Sequence, residues 1–174
     1  MSTGFLVDAV ELERLDARLR SLSDIDLRPL MDALGFEGEA QTRRRIEVEK
    51  TSPDGAPWKP NSGGNPILEQ DGHLLDSITY AVIGDDQVAW GSNRIYAAIH
   101  QHGGVIKAKD APYLQFQVNG QWVRVSQVEI PARTYLGISQ DNWADMADII
   151  NDFVDGLISD QSNQPSIAGR GFTA

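Results

Sequence analysis

The sequence contains no cysteine, which excludes disulfides, thiolate metal sites and cysteine nucleophiles. It has only three histidines, too few for more than one histidine-based centre. No apolar run approaches the roughly 20 residues that would span a bilayer. The first residues, "MSTGFLVDAVELERLDARL", show no basic leader and no small-residue cleavage site, so they do not read as a signal peptide. These absences lead us to expect a protein made and used in a cytoplasm, or in something assembled there. Basic residues are scarce as well, 15 against 25 acidic, for a formal charge of −10.

Nucleic-acid binding as a main role needs clustered Lys and Arg that track phosphates. The one dense basic cluster, Arg43-Arg44-Arg45, is followed directly by "IEVE". By segment, residues 1–50 carry −3, residues 51–139 carry −2 and residues 140–174 carry −5. Half of the negative charge thus falls on the last fifth of the chain. What remains is ordinary for a globular protein: 174 residues, 41% apolar and 23% charged, enough for one domain with a real core.

Leu12, Leu15, Leu19 and Leu22 recur at helical spacing on one stripe. "SDID" at 23–26 interrupts that pattern with good capping residues. Pro29 then falls in the first turn of a second helix that runs to about Lys50. Gly35 and Gly38 weaken this helix, each by roughly 1 kcal/mol relative to Ala, so a close contact or a kink is expected there. Residues 1–50 are therefore read as two N-terminal helices. "TSPDGAPWKPNSGGNP" (51–66) is a Pro/Gly-rich loop with Trp58 at its centre. Loops of this length without regular structure are uncommon in compact domains and are often functional.

From residue 74 the period becomes two. "LLDSITYAVIG", "DD" and "QVAWG" read as a hairpin, and "LQFQV-NG-QWVRV" is a stronger one with an Asn-Gly turn. Between them "SNRIYAAIHQHGG" reads as a short helix with Ser92 or Asn93 as cap. Ile95, Ile99 and His102 would share a face, and Gly103 would stop the helix. After "GISQD", Trp143, Met146, Ile150, Phe153 and Leu157 form an apolar stripe, and Asp145, Asp148, Asp152 and Asp155 an acidic face, of a C-terminal amphipathic helix. Residues 67–159 are read as the α+β core with that helix, and 160–174 as a flexible tail. The expected class is α+β: an antiparallel sheet of about four strands with a short inserted helix, two N-terminal helices and one C-terminal helix, in one structural domain.

Little in the pattern points to catalysis. His100 and His102, one position apart on a helix, point about 200° away from each other, so they chelate one ion only from an extended segment. His73 sits in a turn. Asp85 and Asp86 suit a tight turn without further purpose. Ser77 and Ser139 lack a nucleophile elbow, and the glycine pairs at 63–64 and 103–104 match no phosphate-binding fingerprint. A metal-dependent hydrolase using His100 and His102 is the enzymatic alternative. The preferred reading has no catalytic residues, no cofactor and no metal.

Four patches resemble the phage virion morphogenesis family, the tail-completion and head–tail joining proteins of Mu-like and P2-like contractile-tailed phages. They are "RRRIEVEKTSPDGAPWKP" (43–60), "LLDSITYAV" (74–82), "VAWGSNRIYAAIHQHGG" (88–104) and "IPARTYLGISQDN" (130–142). They occur in the family's order. Thr134 stands where the family usually has proline, and an aromatic still follows it. The resemblance implies a non-catalytic structural role in virion assembly at the head–tail junction or tail end, as a subunit of a homo-oligomeric ring, with hexameric symmetry the one expected of tail rings. The protein would then be found in the virion neck or tail, and in host cytoplasm during assembly.

Its implied partners are further copies of itself and neighbouring neck, tail-tube or portal-side proteins, with DNA only as passing cargo and no membrane. A subunit of this kind needs exposed aromatics and arginines as anchors. Trp58, Arg94, Tyr96, Arg133 and Tyr135 are the candidates, with His100 and Gln101 as polar contacts and Asp145, Asp148, Asp152 and Asp155 as an acidic docking face. The residues alone leave open whether Trp58 and Tyr96 pack on their own core instead. A transient assembly adaptor or chaperone for a capsid or tail protein is the alternative structural role.

Overall fold

The computed structural model describes residues 25–162 apart from 62, 63, 65, 70 and 119. The leucine stripe at 12–22 and the tail beyond 162 lie outside these residues. The described chain is mixed helix and antiparallel sheet, as an α+β reading requires. It contains α1 (Arg28–Arg44), continued by one π-helical turn (Arg45–Glu49), then β1 (Ile78–Ile83), β2 (Gln87–Ser92), α2 (Ala97–His102), β3 (Gly104–Lys107), β4 (Leu114–Val118), β5 (Gln121–Val125), β6 (Gln127–Ile130) and α3 (Gln140–Ser162).

Helix α1 begins at the proline the sequence marks. Asp26 Oδ1 accepts the Arg28 backbone N–H at 3.0 Å, satisfying one of the free donors of the first turn. The helix ends where Lys50, with φ 55, adopts the left-handed conformation and donates its N–H to the Arg45 carbonyl at 2.9 Å.

Gly35 and Gly38 mark a close approach to a sheet. On the β1–β2 ladder Tyr80 lies opposite Trp90 and Val82 opposite Val88, so these four side chains share one face. That face lies against α1. A Cβ on Gly35 would sit 2.3 Å from the Tyr80 ring, and one on Gly38 would sit 2.6 Å from the Trp90 ring. The two glycines therefore give up helix propensity so that two aromatic rings can reach the helix backbone. Tyr80 also donates its hydroxyl to Asp32 at 3.0 Å, and Arg43 donates to the Ile78 carbonyl at 2.9 Å.

The expected sheet of about four strands is replaced by three separate two-stranded ladders: β1–β2, β3–β6 and β4–β5. The last two are nested. Ala108 N–H donates to the Ser126 carbonyl at 3.2 Å, joining them into one long ribbon that leaves residues 109–113 as a bulge on one side. "GVIK" is too short and too apolar to announce itself as a strand, and "QVEI" reads as the end of the preceding hairpin, which hides their pairing. Among the described elements, only their partner strands pack substantially against β3 to β6.

Two more expectations shift. Helix α2 starts at Ala97 rather than at Ser92 or Asn93. Ile95 precedes it in full exposure and His102 is exposed, so the Ile95–Ile99–His102 face does not enter the core; Ala97 does. On α3, Met146 is buried and Ile150, Phe153 and Leu157 are half-buried as the stripe requires, with Ile149 beside them, but Trp143 is exposed. The main core is small: Ile46, Trp58, Leu74, Ile78, Ala97 and Tyr135, with Ile67, Leu68, Leu75 and Leu136 packed against it.

Gly38→Ala is expected to destabilise the fold by roughly 1–3 kcal/mol, the usual cost of overpacking, despite the gain in helix propensity. Urea denaturation checks the sign. Adding Trp90→Leu to the same chain should recover part of the loss.

Candidate functional site

The patches "AAIHQHGG" and "PARTYLG" meet in the fold. The Gln101 side chain clasps the second from the first. Its Oε1 accepts the backbone N–H groups of Tyr135 and Leu136 at 2.9 and 3.0 Å, and its Nε2 donates to the Leu136 carbonyl at 3.1 Å. No sheet partner serves residues 134–136, so one side-chain amide stands in for a strand. Tyr135 is buried beside it and donates its hydroxyl to the Ala97 carbonyl at 3.3 Å. Arg133 donates its backbone N–H to the His100 carbonyl at 2.8 Å. Its guanidinium reaches the Pro/Gly-rich loop, donating to the Lys59 carbonyl from Nε (3.0 Å) and Nη2 (2.9 Å) and to Asn61 Oδ1 at 2.8 Å.

A second tie runs beneath the first. Arg45 is almost fully buried. It donates to the Tyr135 carbonyl at 3.0 Å, to the Gly137 carbonyl at 2.8 Å and to Asn142 Oδ1. Burial pulls its guanidinium below the ordinary arginine value, and Glu49 pulls it back up. Arg45 is the first residue of the π-helical turn and is buried together with Ile46. Asn142 is also the third helical residue of α3. Ser139 Oγ accepts the Asn142 N–H at 3.1 Å, and Asn142 Oδ1 accepts the Ser139 N–H at 3.4 Å. "SQDN" is thus a reciprocal helix cap, joined by Arg45 to the rest of the fold.

The sequence candidates therefore divide. Trp58, Arg133 and Tyr135, the candidate anchors, all lie buried within the chain's own fold, which for Trp58 is the core packing that the residues left open. Each has a local reason: Trp58 fills the core and folds its loop over it, Arg133 pins that loop, and Tyr135 sits under the clasp. Gln101 is half-buried and bonded on both amide atoms. His100 is half-buried edge-on to Tyr96, with ring centroids 5.9 Å apart. Burial, and then the nearby Arg133 charge, push the His100 imidazole below its ordinary value. His102 and His73 are exposed. Among the described residues no group of three or more His, Asp or Glu is placed to hold a metal ion.

Arg94 and Tyr96 are exposed, as are Asp145, Asp148, Asp152 and Asp155. Of the four aspartates, only Asp145 has a described side-chain partner, Gln41, at 3.5 Å. The sequence reading missed a set of exposed apolar residues on the ribbon from β3 to β6. Trp122 there is 64% exposed, with Val105, Ile106 and Tyr113 also open to solvent. Arg124 stacks over Tyr113, 4.9 Å from the ring centre. The alternation in "QWVRV" could have flagged Trp122, because it falls on the face opposite Val123 and Val125.

A family model matches residues 7–155, described as the phage virion morphogenesis family. The chain belongs to that family. Membership gives it a structural or assembly role in phage particles and makes it a virion-associated protein. No curated protein and no solved structure matches the chain. No described helix is long and apolar enough to cross a membrane.

Two predictions follow from the clasp. Gln101→Ala leaves two backbone N–H groups and one carbonyl without partners and should cost roughly 2 kcal/mol or more, measured by denaturant unfolding; Gln101→Glu should cost less, because both N–H groups keep their acceptor. His100 sets a pH dependence. Below about pH 6.5, the ordinary histidine value, the unfolded chain takes up a proton that the folded chain resists, so stability falls as pH drops through that window. Replacing His100 with Gln should narrow the difference in Tm between pH 7.5 and pH 5.5; an unchanged difference would show that the carboxylates alone set it.

Proposed function

We propose that this protein is a non-catalytic subunit of a homo-oligomeric ring at the head–tail junction or tail end of a phage particle. One observation carries the reading. Among the described residues every sheet is two strands wide, so each described strand has one edge without a described strand partner. Such edges are templates for pairing with another chain, and two-stranded ribbons are marginal in water by themselves. The β3–β6 ribbon adds exposed Trp122, Tyr113, Val105 and Ile106 to its open edges. A surface of this kind suits a neighbouring copy packed side by side around a closed ring.

Arg94 and Tyr96, next to α2, are the anchors in the original set that remain accessible. The buried set of Trp58, Arg133 and Tyr135 supplies a rigid body behind them. The acidic face of α3 would meet a basic patch on a neck, tail-tube or portal-side protein, or keep DNA from sticking as it passes. Within the family's assembly role, this distribution of work favours a scaffold over an enzyme.

Light scattering on the size-excluded protein tests the reading. The expected result is a ring-sized oligomer, or a monomer that joins rings when added to particles lacking it, with a fixed copy number in finished particles. Trp122→Glu should weaken self-association at least ~10-fold, the scale of a lost aromatic hot spot, while leaving the monomer's Tm unchanged. Absence from finished particles would favour a transient adaptor instead.

A further inference from the structure

Two exposed surfaces of this chain complement each other without meeting inside it. The first is on α3. Met146 is buried there, Phe153 and Leu157 are half-buried, and among the described elements only α1 packs substantially on the helix. Trp143, Val154 and Ile158 are left 58%, 44% and 62% exposed. At 100° per residue these three fall within an arc of about 60° and along roughly 22 Å of helix, so they form one apolar stripe. Asp148 and Asp155 border it on one side, exposed and without a described ion-pair partner.

The second surface is the outer half of the ribbon. On the β4–β5 ladder Gln115 lies opposite Arg124 and Gln117 opposite Trp122, so these four side chains share a face. Tyr113 extends that face, with the Arg124 guanidinium stacked on its ring. The stack fixes where the arginine charge stands, and no described carboxylate pairs with it. From Gln121 to Ile130 the chain runs extended but for a bend at Ser126, a reach of about 30 Å.

We propose that the Trp122 face of the ribbon docks on the α3 stripe of a neighbouring copy. The inference rests on the self-assembly reading above and names its two faces. Three observations select this occupant. The ribbon and α3 of one chain do not pack substantially on each other, so the ribbon that covers the stripe comes from another chain. Charge then decides between like and unlike pairings. Helix α3 holds six aspartates and no basic residue, whereas residues 104–130 hold Lys107, Lys109 and Arg124 against Asp110 and Glu129. Helix on helix sets like charges together, and ribbon on ribbon does so more weakly; ribbon on helix is complementary. The third observation is size, since the ribbon is long enough to lie along the whole stripe. With Trp122 on the stripe, Arg124 comes within reach of the bordering Asp148 and Asp155, while Asp145 and Asp152 stay outward. Donor and acceptor are different surfaces of one chain, so the contact is head to tail, the kind that closes into rings.

The cysteine-free sequence allows a direct test. Full-length chains carrying Gln117→Cys are mixed with size-tagged full-length chains carrying Ala147→Cys, Asn151→Cys or Val154→Cys, and oxidised. Ala81→Cys with Ala89→Cys, directly opposed on the β1–β2 ladder, is the control for oxidation. The expected product is a disulfide joining one tagged and one untagged chain. Asp152→Cys, roughly 160° round the helix from Val154, should give none. Untagged dimers alone would show ribbon pairing with ribbon and would overturn the proposal. So would the absence of a mixed product where the control closes. The ring is read separately by light scattering: a mixed disulfide in open chains of copies removes the ring and keeps the docking, and a ring-sized oligomer without the mixed disulfide does the reverse. As a second readout, Arg124→Glu should weaken self-association at least ~10-fold, and Asp148→Lys with Asp155→Lys in the same chain should recover part of it. Loss without recovery would overturn the pairing of Arg124 with these aspartates.

Discussion

Much of the structure depends on one buried cation. The Arg45 guanidinium is held among two carbonyls and an asparagine oxygen, and the groups it joins come from distant parts of the chain: the end of the first described helix, the segment after β6 and the cap of α3. Removing a charge of this kind from water is expensive unless its donors are satisfied. Here carbonyl oxygens do most of the satisfying, and Glu49 supplies a nearby counter-charge at 3.8 Å. The result is directional as well as attractive. A planar fork of donors accepts only one placement of residues 135–142, and that placement sets where α3 starts and which way it points.

The clasp around Gln101 continues the same logic. The small core cannot by itself fix six strands that are paired only two by two. Side chains therefore replace missing backbone partners. Gln101 does so for residues 135 and 136, Arg133 for the loop at 59–61, and Asn142 for the first turn of α3. Each is a polar residue placed where a larger protein would add a strand or another helix. Interior order is thus secured by polar ties, and the apolar surface that the core does not use is left on the ribbon and on α3.

The parts of this architecture governed by local periodicity were legible in the residues. Alternation marked β1–β2 and β4–β5, the Asn-Gly turn marked the second hairpin, and the 3-4 stripe with its acidic companion marked α3. Gly35 and Gly38 signalled a close approach, although not that two aromatic rings of a hairpin would fill it. What could not be read depended on distant partners. Arg133 and Tyr135 look like surface anchors until the chain brings Lys59 and Ala97 beside them. Gln101 could be named only as a polar contact and not as a clasp, because its partners lie more than thirty positions away. Trp143 belonged by spacing to the buried stripe, yet it is exposed, while Asn142 next to it is buried and bonded to Arg45. The exposed face of the ribbon escaped notice because β3 and β6 are four residues each and are separated by the hairpin nested between them.

Both feet of the ribbon are anchored in the body. At its start Gly103, with φ 70, packs so tightly that an added Cβ would lie 2.7 Å from the Ala132 nitrogen. At its end the Arg133 N–H is bonded to the His100 carbonyl. Everything between Gly104 and Ile130 is thereby a cassette closed at its base. Residues can be gained or lost in the bulge at 109–113 without moving either foot. Among descendants of one ancestral chain, the reach of the ribbon is therefore free to drift in length while the body that carries it stays constant, so a subunit of this design can be refitted to a neighbour of different size by insertion alone.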